Sequence, residues 1–311
     1  MNSDVESQQK LSEELERERR RLMLLAYRMT GSWTDAEDVV QTAVAECLGA
    51  PVKVQNLAGW LTRVTVRRSI DALRSRIRQP NYVGLWLPEP LVVEKDGPFH
   101  RLEESMALST AFLVLAESLT PPQRAVVMLR TLGYVHAEIA DALQISIVAS
   151  RQHHSRAIRI LGEVNGRRIE NDPGLGLRSS DGQAREETRT AEDLLIAYLD
   201  AARLGDVQSL IVILHEQVIA YQDGGGKVSA ALRALLGPSN VARFTTGVAR
   251  LHLGQRSARP VTVGGTPGVL LSLTETRHVI SVQIRDGLIY RLFDVCNPEK
   301  HGTLSRLPVA L

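Results

Sequence analysis

The stretch TPPQRAVVMLRTLGYVHAEIADALQISIVASRQHHSRAIRIL, residues 120–161, decides the fold of the first half of the chain. Thr120 is a helix N-cap type, Pro121 suits a first helical position where no N–H is needed, and Gln123 can reach back to the cap. The helix so started ends at Gly133. A short helix follows, roughly Ala137 to Leu143, with Ile139, Ala140 and Leu143 inward and Ala140 small where two helices cross. Ser146 can cap the next helix, whose outer side carries Arg151, Gln152, Ser155, Arg156 and Arg159. This is the layout of a helix-turn-helix, whose second helix lies in a DNA major groove with its first turns on base edges and its basic residues on phosphates. A helical hairpin with a solvated basic face is the alternative. Gln144 stands where such a turn commonly has glycine, and a left-handed residue there costs about 1 kcal/mol more without one. His153 and His154 point about 100° apart on a helix, which argues against a shared metal.

Upstream, the chain also reads as helical. Leu15, Leu22, Leu25 and Met29 line one face of a helix that stops at Gly31. Thr34-Asp35-Ala36-Glu37 reads as a capping box for a helix through Val40, Val44 and Leu48. Asp35, Glu37 and Asp38 form an acidic patch that suits the positive end of that helix. Asn56 can cap a third helix that ends before Pro80. Between Arg63 and Arg78 it holds six arginines against one acid, Asp71. Such a run neutralises phosphate and gives affinity that falls steeply with salt. Trp60 is either core or a stacking surface for an unpaired base. PNYVGLWLPEPLVVEKDGP, residues 80–98, reads as extended, and helices resume near His100.

Residues 165–190 are charged, glycine-bearing and poor in apolar side chains, which marks a linker. Beyond it, AEDLLIAYLDAARLGD is an amphipathic helix, and EQVIAYQD, ARPVTVGG, GVLLSLTE, RHVISVQIRD and GLIYRLFDV read as strands, with Asp286-Gly287 as a hairpin turn. The expected architecture is multidomain, two all-α domains and then an α+β domain with a curved antiparallel sheet. A length of 311 residues agrees with several domains. Thirty-seven basic against 35 acidic residues leave a net charge of +2, so no overall field points to nucleic acid and local clusters must decide. Cys47 and Cys296 are far apart, with no metal-type spacing, and read as buried reduced thiols of a cytoplasmic protein. The N-terminal residues have no apolar core of a signal peptide, and no run approaches the roughly 20 apolar residues of a membrane span.

Gly224-Gly225-Gly226-Lys227 invites comparison with a phosphate-binding loop. The pattern fails, because Tyr221 stands where its first glycine belongs and Val228 where its metal-binding hydroxyl belongs. A turn is the better reading.

In order along the chain, DAEDVVQTAVAECL, WLTRVTVRRSIDALRSR and LTPPQRAVVMLR…EIADAL…SRQHHSRA resemble regions 2 and 4 of a bacterial sigma factor of the extracytoplasmic-function group. YVGLWLPEPL, the DGGG-plus-basic stretch and the terminal N-P-[DE]-K resemble a subgroup with a fused SnoaL-like C-terminal domain. The resemblance implies sigma region 2 over residues 10–80, a connector over 81–99, region 4 over 100–165, a linker over 166–190 and the SnoaL-like domain over 191–311. It implies core RNA polymerase, through its largest and second-largest subunits, and promoter DNA as partners, with no separate anti-sigma factor, membrane or cofactor. Asp35, Glu37, Asp38 and Gln41 are then expected on the polymerase. Trp60, Arg63, Arg67, Asp71 and Arg74 are expected on the minus-ten element, and Arg151, Gln152 and Arg156 on the minus-thirty-five element. Tyr82, Trp86, Pro88, Asp223, Gly224, Gly225, Gly226, Lys227, Asn297 and Pro298 are expected as regulatory interdomain contacts. Arg67, Ser150, His153 and Leu85 depart from the family pattern.

SnoaL-like domains include cyclases, whose chemistry needs an acid/base pair converging in the cone. His252, His278, Asp223 and Asp294 are the candidates, and spacing singles out no pair. An enzyme or ligand sensor tethered to DNA by its helical half is therefore the alternative to a sigma factor regulated by its own C-terminal domain.

Overall fold

A computed structural model describes residues 2–49, 56–78, 82–93, 109–165, 181–251, 257–302 and 304. The chain forms two compact units, Met1–Pro80 with Leu115–Arg167, and Asn81–Val114 with Arg168–Leu311.

In the first unit, α1 (Asn2–Thr30), α2 (Trp33–Leu48) and α3 (Leu57–Arg78) pack around Leu22, Leu25, Met29, Val40, Ala43, Leu61 and Val64. The start of α2 corrects the capping box expected at Thr34. Ser32 is the cap, and its Oγ accepts from the Asp35 N–H at 3.1 Å. Past α4 (Thr110–Ala116), most of which belongs to the second unit, the backbone N–H of Thr120 donates to Gln123 at the head of α5 (Pro121–Thr131), 3.0 Å away. Then come α6 (His136–Leu143) and α7 (Ile147–Asn165). Gln144 lies at φ 55°, the left-handed conformation the turn requires, and its side-chain amide donates to the Asp141 carbonyl at 2.8 Å. Ser146 Oγ accepts from the Ala149 N–H at 3.0 Å. Buried Ser150, a departure from the family pattern, is explained by its contact with His136 Nδ1 at 2.9 Å.

The second unit is a seven-stranded sheet in the order β1-β4-β5-β6-β7-β2-β3. The strands are β1 (Val92–Val93), β2 (Leu214–Asp223), β3 (Leu235–Leu236), β4 (Ser257–Val263), β5 (Thr266–Ser272), β6 (Arg277–Arg285) and β7 (Leu288–Val295). All pairings are antiparallel except β2 with β7. Register breaks within β2–β7 and β6–β7 curve the sheet. On its concave face, Val218, Ala220, Ile280, Val282 and Leu292 meet α8 (Asp181–Leu204), α9 (Val207–Ile213) and α10 (Pro238–Leu251). On the other face Tyr221, Phe293 and Val295 are covered by Leu87 and Ala111.

Two sequence expectations are revised. Of residues 81–99, read as an interdomain connector, the described stretch 82–93 contributes β1 to the C-terminal sheet, with Val92 opposite Val263. The reason is apolar: Leu87, Leu91 and Val92 are buried, which a solvated connector would leave wet. The linker read over 166–190 gives way to α8 at Asp181. Among the described residues no helix is long and apolar enough to cross a membrane.

Candidate functional site

Three surfaces carry the residues singled out above. On α2, Glu37 and Gln41 border a groove of about 390 Å³ against α1, floored by Leu15, Met23, Val40 and Val44. Asp35 and Asp38 are outside its lining. Glu37 accepts from Trp33 Nε1 at 3.0 Å, which fixes its carboxylate at the groove. Leu48, at the far end, is 62% exposed. The acidic pattern was visible in the sequence, whereas the apolar floor needed two helices to meet.

On α3, Trp60, Arg63, Arg67, Asp71 and Arg74 recur at three- and four-residue spacing and share one stripe. Trp60 is half-buried, between the two readings offered for it, and Arg67, Asp71 and Arg74 are exposed. The arginines have carboxylate neighbours. Arg67 lies 2.8 Å from Glu46, Arg74 lies 3.7 Å from Asp71, and Arg63 lies 2.7 Å from Asp141 on α6. Such exposed pairs are worth about 0–1 kcal/mol, so phosphate can displace the carboxylates. On α7, Arg151, Gln152 and Arg156 are all exposed and follow the turn set by Gln144.

The same unit holds a cross-link between its N-terminal helices and the helix-turn-helix. From α1, Arg21 donates to the Tyr134 hydroxyl in the turn before α6, to Thr62 Oγ1 at 2.9 Å and to the Ala58 carbonyl at 3.3 Å. Arg76 of α3 lies 3.1 Å from Glu117.

In the second unit the residues expected as regulatory contacts converge on one buried carboxylate. Asp223, at the end of β2, is 0% exposed. It accepts from the Tyr82 hydroxyl, from the Leu87 N–H at 2.7 Å, from the Gly225 N–H at 3.1 Å and from Lys300 Nζ at 2.7 Å. Lys300 also donates to the Leu87 carbonyl and lies 4.1 Å from the centre of the Trp86 ring. Asn297 Nδ2 donates to the Tyr82 oxygen at 2.9 Å, and Pro298 opens the short 3₁₀ helix that carries Lys300. Pro88 is buried beside this network. Burial, then the bond to Asp223, pushes the Tyr82 hydroxyl up in pKa, so it remains a donor.

The three glycines form a turn, as expected, although β3 resumes only at Leu235, too far on for a tight hairpin. Gly225 has φ 56°, and a Cβ there would lie 2.2 Å from Asn297 Nδ2. At Gly226 it would lie 3.0 Å from Val83 Cβ. The glycines let the turn close on the 82–87 segment. Lys227 is at the rim, 2.9 Å from Glu299. Lys300 and Leu87 were absent from the expected site. Lys300 had one sequence signal, its place in N-P-[DE]-K, and nothing marked it as buried. Of the four acid/base candidates, His278 and Asp294 meet at 3.0 Å, Asp223 is consumed by the clamp, and His252 lies outside the described residues.

Residues 15–79 match the model of sigma-70 region 2, and residues 109–161 match that of sigma-70 region 4. The chain is 32% identical over 302 residues to the ECF RNA polymerase sigma factor SigJ of Mycobacterium tuberculosis, covering 92% of each chain. It is 27% identical to the probable ECF RNA polymerase sigma factor SigI of the same species, covering 89% of this chain and 90% of that one. The crystal structure of the M. tuberculosis extracytoplasmic function sigma factor SigJ superposes with a TM-score of 0.72 at 27% identity, over 94% of this chain and 98% of that one.

Proposed function

The chain belongs to the extracytoplasmic-function (ECF) RNA polymerase sigma factors, which direct core RNA polymerase to promoters, and from that premise we propose that its C-terminal unit governs initiation by holding the segment between regions 2 and 4. The Asp223–Lys300 clamp is the observation that carries this reading. Residues 82–93 follow region 2 in the chain and precede region 4, and they are tied into the C-terminal sheet by β1 and by that clamp. A connector so bound cannot pay out as free chain.

The packing of the helical unit supports a closed resting state. The minus-ten and minus-thirty-five elements lie about 25 base pairs apart, roughly 85 Å at about 3.4 Å per pair. A helix-turn-helix joined to α3 through Arg63–Asp141 and to α1 through Arg21–Tyr134 cannot reach one element while α3 holds the other. Opening therefore accompanies assembly with core polymerase, and the equilibrium between the two states is what the C-terminal unit biases. Regulation is in cis, without a separate anti-sigma protein.

In this scheme the α1–α2 groove, with Glu37 and Gln41 on its border and Asp35 and Asp38 beside it, docks on the polymerase. The α3 stripe meets the minus-ten element, and Arg151, Gln152 and Arg156 meet the minus-thirty-five element. Run-off transcription with purified core polymerase tests the scheme. The full chain is expected to give a promoter-specific product, and a chain ending at residue 189 is expected to give an altered level of it. No product would remove the sigma reading in favour of a DNA-tethered enzyme, and an unchanged level would remove the regulatory one.

Arg156→Ala makes the finer assignment measurable. The side chain is exposed, so the fold is unaffected. Loss of a base contact costs about 1–3 kcal/mol, a fall of roughly 5- to 150-fold in promoter affinity. Core polymerase binding, measured alongside, should not change. Equal initiation from the variant would place the minus-thirty-five contacts elsewhere.

A further inference from the structure

We propose that His278, Asp294 and Cys296 form a site for one divalent transition-metal cation, zinc foremost, within the C-terminal unit. The three residues belong to the unit that carries neither promoter-reading helix and play no part in the scheme above, so the proposal stands or falls separately.

Strand register brings them together. Val279 on β6 stands opposite Val295 on β7, and Ile280 stands opposite Asp294. His278, on β6, and Cys296, the residue after β7, therefore lie one step beyond the first of these pairs. Ile280 and Leu292 face the concave core, and alternation sends His278 and Asp294 to the same side. One ligand atom from each residue, an imidazole nitrogen, a carboxylate oxygen and a thiol sulfur, lies within 4.8 Å of the other two. The residues are 6%, 4% and 1% exposed.

The donor chemistry selects the ion. Calcium and magnesium take oxygen ligands, whereas a mixed nitrogen, oxygen and sulfur set suits zinc and its late first-row neighbours. Asp294 and a Cys296 thiolate would balance a dication, with His278 neutral, so the buried set carries no net charge. A supporting shell is already in place. His278 Nε2 lies 3.2 Å from Thr276 Oγ1, which orients the ring and leaves Nδ1 facing Asp294. Gln222 Nε2 donates to Asp294 Oδ2 at 2.9 Å. Partners of this kind fix the rotamers and basicity of metal ligands. Three protein donors leave a fourth tetrahedral position for water or an added ligand.

Position gives the site a consequence. Asp223 O accepts from the N–H groups of Cys296 at 2.9 Å and Asn297 at 2.8 Å. A cation would brace the end of β7, one residue from the clamp on Tyr82.

The test uses the full chain, stripped with a chelator and titrated with Co²⁺. One equivalent is expected to give a thiolate-to-cobalt charge-transfer band and the strong visible bands of four-coordinate cobalt, both bleached by Zn²⁺. Cys296→Ser should abolish the charge-transfer band, and Cys47→Ser, in the other unit, should retain it. Gln222→Ala should weaken Co²⁺ binding about ten- to hundredfold. A stripped wild-type chain without the band overturns the proposal, as does a band that survives in Cys296→Ser. Either result would make His278–Asp294 a buried ion pair with Cys296 as a bystander.

Discussion

Asp223→Ala is expected to destabilise the C-terminal unit by about 3–5 kcal/mol, the cost of leaving one member of a buried ion pair without the other. That is a large part of the roughly 5–15 kcal/mol that a whole domain possesses. Lys300, with a side chain 8% exposed, would be left beside the Tyr82 and Trp86 rings without its carboxylate. The Leu87 N–H and the Gly225 N–H would lose their acceptor as well. Chemical denaturation of the full chain, followed by circular dichroism, should show an early transition absent from the wild type. Limited proteolysis should then cut within residues 82–91. The double variant Asp223→Ala/Lys300→Met removes both charges and should recover much of the loss, because an apolar replacement of a buried pair is often close to neutral. A single variant that loses less than about 1 kcal/mol would mean that the network is ornament to the sheet and not its tie to the 82–93 segment.

This network also shows where sequence reasoning succeeds and where it stops. The helix-turn-helix was legible because its signals are local: Thr120 with Gln123, Ser146 three residues before Ala149, and an alanine at the helix crossing. The strands of the second unit were legible for the same reason, through alternation and the Asp286-Gly287 turn, both of whose residues have positive φ. The revisions at the connector and at the site concern contacts between distant residues. Val92 finds Val263, Leu87 finds Asp223, and His278 finds Asp294 only once strand order and register exist. At Ser32 the error was smaller, because two hydroxyl residues two positions apart both suit a cap and local pattern cannot rank them. Cys296 is the sharpest case. Spacing along the chain gave it no partner, while the sheet places a histidine and a carboxylate beside it.

Arg21→Met should shift the helical unit toward an open form. Arg21 is 29% exposed at its side chain and is not on the α3 stripe or on α7, so its loss removes no proposed DNA contact. It joins α1 and α3 to the turn before α6 through the Tyr134 hydroxyl, Thr62 and Ala58. Hydrogen bonds from a charged donor are worth about 1.5–3 kcal/mol, which corresponds to roughly a 10- to 150-fold change in the ratio of closed to open molecules. Asp141→Ala removes a pair that is 42% and 68% exposed and should shift the ratio by less than about fivefold. Small-angle scattering of the free protein should report a larger radius for Arg21→Met and little change for Asp141→Ala. With core polymerase limiting, Arg21→Met should also raise the yield of promoter-specific transcript, since the polymerase no longer spends binding energy on separating the two regions. A larger radius without more transcript would mean that opening is not the barrier to assembly. An unchanged radius would mean that the Arg21 contacts do not hold the regions together, and the closed state would then have to rest on the apolar contacts between α3 and the helix-turn-helix.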